Sequence, residues 1–139
     1  MVSLLVGPRT ERLSREIWED FADRTDHVLP ELITTDEYAP YRGAILNAYG
    51  DRVEYPRTCR AGRPRLPRLE PPKELVYAMV HKTREKGAVV DVSIRRVFGT
   101  QRQLDEALER STVSSHVNTT FVERFNGTVR QHNSRKARK

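Results

Sequence analysis

The chain has 139 residues, 37% hydrophobic and 32% charged, which suits one domain with a lean core. Its single cysteine, Cys59, excludes an internal disulfide and a cysteine-rich zinc site. The net charge of +6 points to a polyanionic partner. No apolar run reaches the length of a membrane span and no secretory leader is recognisable, so we expect a cytoplasmic protein without a membrane partner.

The first predicted elements are a strand and a helix. Residues 2–6 form a run typical of a strand, which Gly7 and the following proline end. Thr10 is a suitable N-cap for the next helix, which we expect to end near Thr25 or Asp26.

A second strand and helix follow. Residues 32–35 form a β-prone run with few charges, as expected of a strand covered on both faces. Asp36 lies at its carboxyl end, where ligands bind in open α/β sheets. Pro40 suits the first turn of the next helix and Gly50 its end, and residues 53–55 form a candidate short strand.

Basic residues are concentrated in two segments, 56–72 and 130–139. The first contains five of the eight prolines and Arg57, Arg60, Arg63, Arg65 and Arg68. Prolines keep such a loop extended, so its arginines would be presented to a partner. We expect both the loop and the basic tail to contact nucleic acid, although solvated basic loops without a partner are also common.

The next predicted unit is a β-hairpin. Its arms are the apolar runs 75–80 and 88–94, separated by a polar stretch that a glycine closes. A helical first arm is the alternative. Thr100 and Gln103 then form a capping box for a helix over residues 101–110.

The last predicted helix lies within residues 117–133 and has two stripes. An apolar stripe that should be buried consists of Phe121, Val122, Phe125 and Val129. A polar stripe beside it consists of Thr119, Glu123, Asn126 and Arg130. We therefore hypothesise that Asp36 and Glu123 share a divalent metal. Each acid also has a simpler interpretation as a helix-capping residue.

The order of these motifs resembles the bacterial DDE transposases of the first insertion-sequence family, over nearly the whole chain. The resemblance is carried by segments 35–41, 75–83, 96–100 and 118–131, and the Asn-Thr-x-Phe-Val-Glu-Arg-x-Asn block that begins at Asn118 is its specific part. It implies an α/β, partial ribonuclease-H-like fold, a mixed sheet with flanking helices, into which the Pro/Arg loop and the hairpin are inserted.

The resemblance also implies a function, DNA transposition by strand cleavage and strand transfer. Asp36 matches the second aspartate of the family and Glu123 its glutamate, and the triad of such enzymes binds two Mg²⁺ ions. Asn118, Arg124 and Asn126 match the block around the glutamate, where they would position it or contact DNA, and Arg130 extends that basic surface. The implied partners are the ends of the element and the target DNA.

One feature of the family pattern has no match. The first aspartate of the family lies on a strand that would precede Met1. We therefore expect residues 1–139 to be a single truncated catalytic domain that does not cleave DNA alone. Self-association, or association with a full-length transposase, would fit such a chain. The alternatives are a non-catalytic basic DNA-binding protein and a transposase remnant.

Overall fold

The computed structural model describes residues 3, 5, 7–56, 65–112, 114–117 and 120–132, without the side chains of residues 120–123, 126 and 130. It is a mixed α/β structure. Its elements in chain order are α1 Glu11–Arg24, β1 Ile33–Asp36, α2 Pro40–Tyr49, β2 Asp51–Val53, β3 Arg68–Glu70, β4 Tyr77–Glu85, β5 Ala88–Phe98, α3 Gln101–Arg110 and α4 Thr120–His132.

The main sheet has three strands in the order β1-β4-β5. β1 runs parallel to β4, with Asp36 level with Val80, and β5 runs antiparallel to β4. β2 and β3 form a separate antiparallel pair in which Asp51 faces Glu70. The coarse prediction of a mixed sheet with flanking helices is therefore confirmed.

Apolar side chains pack on both faces of the main sheet. The larger cluster lies against α1 and α2 and contains Ala22, Ile33, Ile45, Tyr49, Leu75, Tyr77 and Phe98. The smaller cluster lies against α3 and contains Val76, Ala78, Val80, Leu104 and Val117, with Leu32 and Leu108 at its margin. Successive residues of a strand point to opposite faces, which is why Tyr77 and Ala78 belong to different clusters.

The caps of two helices are confirmed. The Thr10 hydroxyl accepts a hydrogen bond from the Leu13 amide at 3.2 Å, and α1 ends at Arg24. Thr100 and Gln103 form the complete capping box of α3. Each cap satisfies a backbone donor that has no partner within the helix.

The hairpin is confirmed and the helical alternative for its first arm is wrong. Its turn consists only of Lys86 and Gly87, whose φ angles of 48° and 86° suit a two-residue turn of type I′. The arms are longer than predicted because the polar residues after Val80 continue β4, paired with β5 as far as Glu85 and Ala88.

Three predictions need correction. Ser3 and Leu5 are not in a strand, while residues 2, 4 and 6 lie outside the described part of the chain. The basic segment 56–72 contains the strand β3, and residues 57–64 lie outside the description. Phe125, predicted to be buried, is 46% exposed.

Candidate metal and nucleic-acid site

Asp36 ends strand β1 with an exposed carboxylate. Its Oδ2 accepts a hydrogen bond from Nη2 of Arg9 at 2.9 Å, and more than half of each side chain is exposed. The N-cap of α2 is Ala39, which makes no side-chain cap bond, so capping by Asp36 is wrong. The Asp36 carboxylate therefore pairs with Arg9 at the end of β1 and does not cap α2.

Arg9 is held in place by Tyr38 as well as by Asp36. The guanidinium carbon lies 4.1 Å from the centre of the Tyr38 ring, and the Tyr38 hydroxyl donates to the Arg9 carbonyl at 3.0 Å. Tyr38 in turn meets Tyr41 edge to face, with ring centres 5.1 Å apart. These contacts fix a positive charge beside Asp36 at the start of α2.

The backbone before Asp36 is tied to β4 by two hydroxyl groups. The Thr35 hydroxyl donates to the Asp36 carbonyl at 2.9 Å, so the Tyr77 hydroxyl, 2.8 Å away, is the donor to Thr35. Tyr77 is fully buried, and this burial raises the pKa of its hydroxyl. The strand end that carries Asp36 is thus anchored in the larger core.

A second acid, Glu37, follows directly and joins three strands. Its Oε2 contacts Nδ1 of His81 on β4, and its Oε1 accepts from Nη1 of Arg95 on β5 at 2.9 Å. The hydrogen bond from His81, aided by the positive charge of Arg95, lowers the pKa of the Glu37 carboxyl. Glu37 is therefore committed to these two partners.

The described contacts of the Asp36 carboxylate lie on the larger-core side of the sheet. Ile33 belongs to the larger core and Leu32 to the margin of the smaller one. The Asp36 carboxylate interacts electrostatically with Tyr77, which is in the larger core, and with Tyr41, which packs against it. Val117, three residues before α4, is buried in that same smaller core. Val117 and these contacts of Asp36 therefore lie on opposite faces of the sheet.

The residues predicted around Glu123 are only partly described. Glu123, Asn126 and Arg130 lie on α4, but their side chains are not described, and Asn118 lies outside the description. Arg124 is exposed. In the part of the chain that is described, no three histidine, cysteine or acidic side chains form a group that could hold a metal. A metal shared by Asp36 and Glu123 therefore stays a prediction.

The described end of the basic loop packs around Tyr55. Arg57, Arg60 and Arg63 lie outside the description. The guanidinium carbons of Arg65 and Arg68 lie 5.5 Å and 5.7 Å from the centre of the Tyr55 ring. The Tyr55 hydroxyl donates to Glu70 at 2.7 Å, and this bond raises the pKa of Tyr55. Because β3 pairs with β2, the described end of the basic segment is held against another strand and is not a free arm.

Sequence reasoning missed Arg9, Glu37, His81 and Arg95. Glu37 follows Asp36 directly, and two adjacent acids at a strand end were a usable signal. The basic partners gave no such signal, because they lie between 27 and 58 positions away in the sequence.

No protein-family model matches the sequence, and neither a curated protein nor a solved structure matches it. Among the described residues, none of the helices has both the length and the apolar character needed to cross a membrane.

Proposed function

We propose that this chain belongs to the DNA transposition machinery, as a ribonuclease-H-like catalytic module of the DDE type. Asp36 and Glu123 are its two acidic metal ligands. Asn118, Arg124, Asn126 and Arg130 position Glu123 or contact DNA. The proposal rests on the motif resemblance and on one structural observation, which is the position of Asp36.

The supporting observation is that Asp36 is an exposed carboxylate at the carboxyl end of a parallel strand. Strand ends of this kind are the usual ligand sites of open α/β sheets. Val117, which is buried in the smaller core, precedes the helix of Glu123 by three residues. The two acids are 87 positions apart in the sequence, and the motif resemblance is the reason for joining them in one site.

The Asp36 carboxylate is a suitable ligand for Mg²⁺. Mg²⁺ takes oxygen ligands and keeps several of its waters, so few carboxylates are needed. Asp36 uses only Oδ2 toward Arg9, and its side chain is 56% exposed. Bound Mg²⁺ would supply activation of the attacking oxygen and stabilisation of the leaving oxygen in phosphodiester cleavage. Asp36 and Glu123 would hold it, and Arg124 would contact the DNA backbone.

The metal site is tested with Mn²⁺ as a paramagnetic probe in NMR. We expect Mn²⁺ to broaden signals around Asp36 and on α4 at the same concentration, and excess Mg²⁺ to reverse the broadening. Asp36→Asn or Glu123→Gln should each abolish both effects, because one ion needs both acids. Glu109→Gln, which changes an exposed acid on α3, is the control and should leave the broadening unchanged. Broadening at only one of the two places would contradict a shared metal.

A second candidate function is DNA binding without catalysis. It is favoured by the cations already paired with Asp36 and Glu37, and by the arginines stacked on Tyr55. Arginine beside an aromatic ring is a common surface for nucleic acid. In this case the acids keep neighbouring basic groups in place instead of binding metal.

The two functions are separated by DNA affinity measured at several salt concentrations. Binding that survives Asp36→Ala and Glu123→Ala, together with unchanged Mn²⁺ spectra in those variants, would favour the non-catalytic function. Replacing both Arg65 and Arg68 by alanine should lower the slope of log affinity against log salt by about 2, if each contacts one phosphate. Arg102→Ala, which removes an exposed arginine paired with Glu106, should leave the slope unchanged.

A further inference from the structure

In the part of the chain that the structure describes, no strand pairs with the outer edge of β5. Within the described residues β5 is an edge strand of the main sheet and is 11 residues long. Its residues Val89, Val90, Val92 and Ile94 are between 46% and 54% exposed. Proteins usually protect such edges with proline, lysine or a covering segment, and β5 contains neither proline nor lysine.

The sequence of β5 is complementary to itself in one antiparallel register. When Ser93 faces Ser93 of a second copy, Asp91 faces Arg95 and Val92 faces Ile94, and the two-fold symmetry repeats both pairs. Opposite charges and β-branched side chains are favourable partners across two antiparallel strands. Centring the pairing on Val92 or on Ile94 instead would place Asp91 opposite Ser93 or Val97, and the charge match would be lost.

The groups needed for this pairing are available. Asp91 is exposed and forms no ion pair with another described residue. Arg95 donates to Glu37 across β4 through Nη1, and it reaches Asp91 of the second copy by turning its guanidinium toward the outer edge. Ile94 faces Val80 across the hairpin, and Val80 belongs to the smaller core. Val92 and Ile94 therefore extend the apolar face of that core toward the second copy.

We propose that β5 pairs with β5 of a second copy of this chain, centred on Ser93, and joins the two main sheets into one of six strands. The charge match between Asp91 and Arg95 determines the register, and Val92 and Ile94 supply the apolar contact. The paired region is short, so the dimer dissociates on dilution. The interface uses none of the proposed metal ligands, and of the cations named for DNA binding it uses only Arg95.

The proposal is tested by sedimentation of the full chain at several concentrations, without DNA or metal. The unchanged chain should pass from monomer to dimer as its concentration rises. Asp91→Arg places two arginines opposite each other twice, and Arg95→Asp does the same with two aspartates. Each variant alone should dimerise at least tenfold more weakly. An equimolar mixture of the two restores opposite charges in a heterodimer and should recover the dimer, as should the double variant D91R/R95D.

Two controls keep the result specific. Asp105→Arg makes the same charge change on α3, away from the β5 edge, and should leave the dimer intact. Circular dichroism checks that each variant is folded, since Arg95→Asp also removes one of the two partners of Glu37. A chain that stays monomeric at every concentration, or a mixture no better than the single variants, would overturn the proposal. The Mn²⁺ and DNA measurements do not depend on this outcome, so the two proposals can fail separately.

Discussion

At the scale of single residues, the end of β1 is organised by two adjacent acids with different partners. Asp36 is paired with Arg9, whereas Glu37 bridges His81 and Arg95. Exposed ion pairs of this kind contribute little to stability, because water screens them. Their value is positional, since Glu37 links the end of β1 to both arms of the hairpin.

The lowered pKa of Glu37 gives a residue-scale prediction. Because the folded-state pKa lies below the ordinary 4.5, this carboxylate stabilises the fold above that pH and the contribution is lost as pH falls through the folded value. Carbon-detected NMR titration should show that His81→Gln returns the Glu37 pKa toward its ordinary value more than Arg95→Gln does, because the His81 hydrogen bond is the largest cause. An identical titration in all three proteins would contradict this order.

At the scale of elements, helix ends are determined by local chemistry. Thr10 and Thr100 cap α1 and α3 through bonds within the first turn. Gly50 ends α2 for another reason. Its φ of −78° is open to any residue, but a Cβ there would lie 2.3 Å from the Leu46 carbonyl oxygen. The glycine is required by close backbone contact.

Alanine in place of Gly43, inside α2, or of Gly50, at its end, should therefore have opposite effects on stability. Gly50→Ala should destabilise the protein by about 1–3 kcal/mol, because the new methyl group overlaps the Leu46 carbonyl. Gly43→Ala, inside α2 with nothing within 4 Å of the added Cβ, should stabilise it by about 0.5–1 kcal/mol through helix propensity. Urea unfolding of both variants measures the difference. If both variants changed the free energy of unfolding by the same amount in the same direction, the contact at Gly50 would be relieved without cost.

At the scale of the whole molecule, the main sheet separates two apolar clusters and also connects them. Tyr77 belongs to one and its neighbours Val76 and Ala78 to the other, so a shift of this segment would affect both faces. Trp18, the single tryptophan, packs on the larger cluster, while Leu104 lies in the smaller one. Unfolding should accordingly be one cooperative event.

This cooperativity can be measured across the sheet. Leu104→Ala should lower the stability by about 2–5 kcal/mol, since Leu104 is only 3% exposed. Trp18 fluorescence, which reports on the opposite face, should shift to lower urea concentration by the same amount as far-ultraviolet circular dichroism. Leu66→Ala is the control, because Leu66 is 67% exposed and its loss should change neither signal. If Leu104→Ala left the urea midpoint of Trp18 fluorescence unchanged, the two faces would unfold separately.

The sequence by itself determined the local features of this protein. Helix caps, the end of α2, the existence of the hairpin and the position of Asp36 at the end of a strand all depend on residues a few positions apart, and they were predicted. The tertiary structure decided the pairings of Arg9 with Asp36 and of Glu37 with His81 and Arg95, and it left Phe125 exposed. These depend on which strands become neighbours, and short-range patterns contain no information about distant partners. The shared metal of Asp36 and Glu123 is such a long-range pairing, so it stays a prediction.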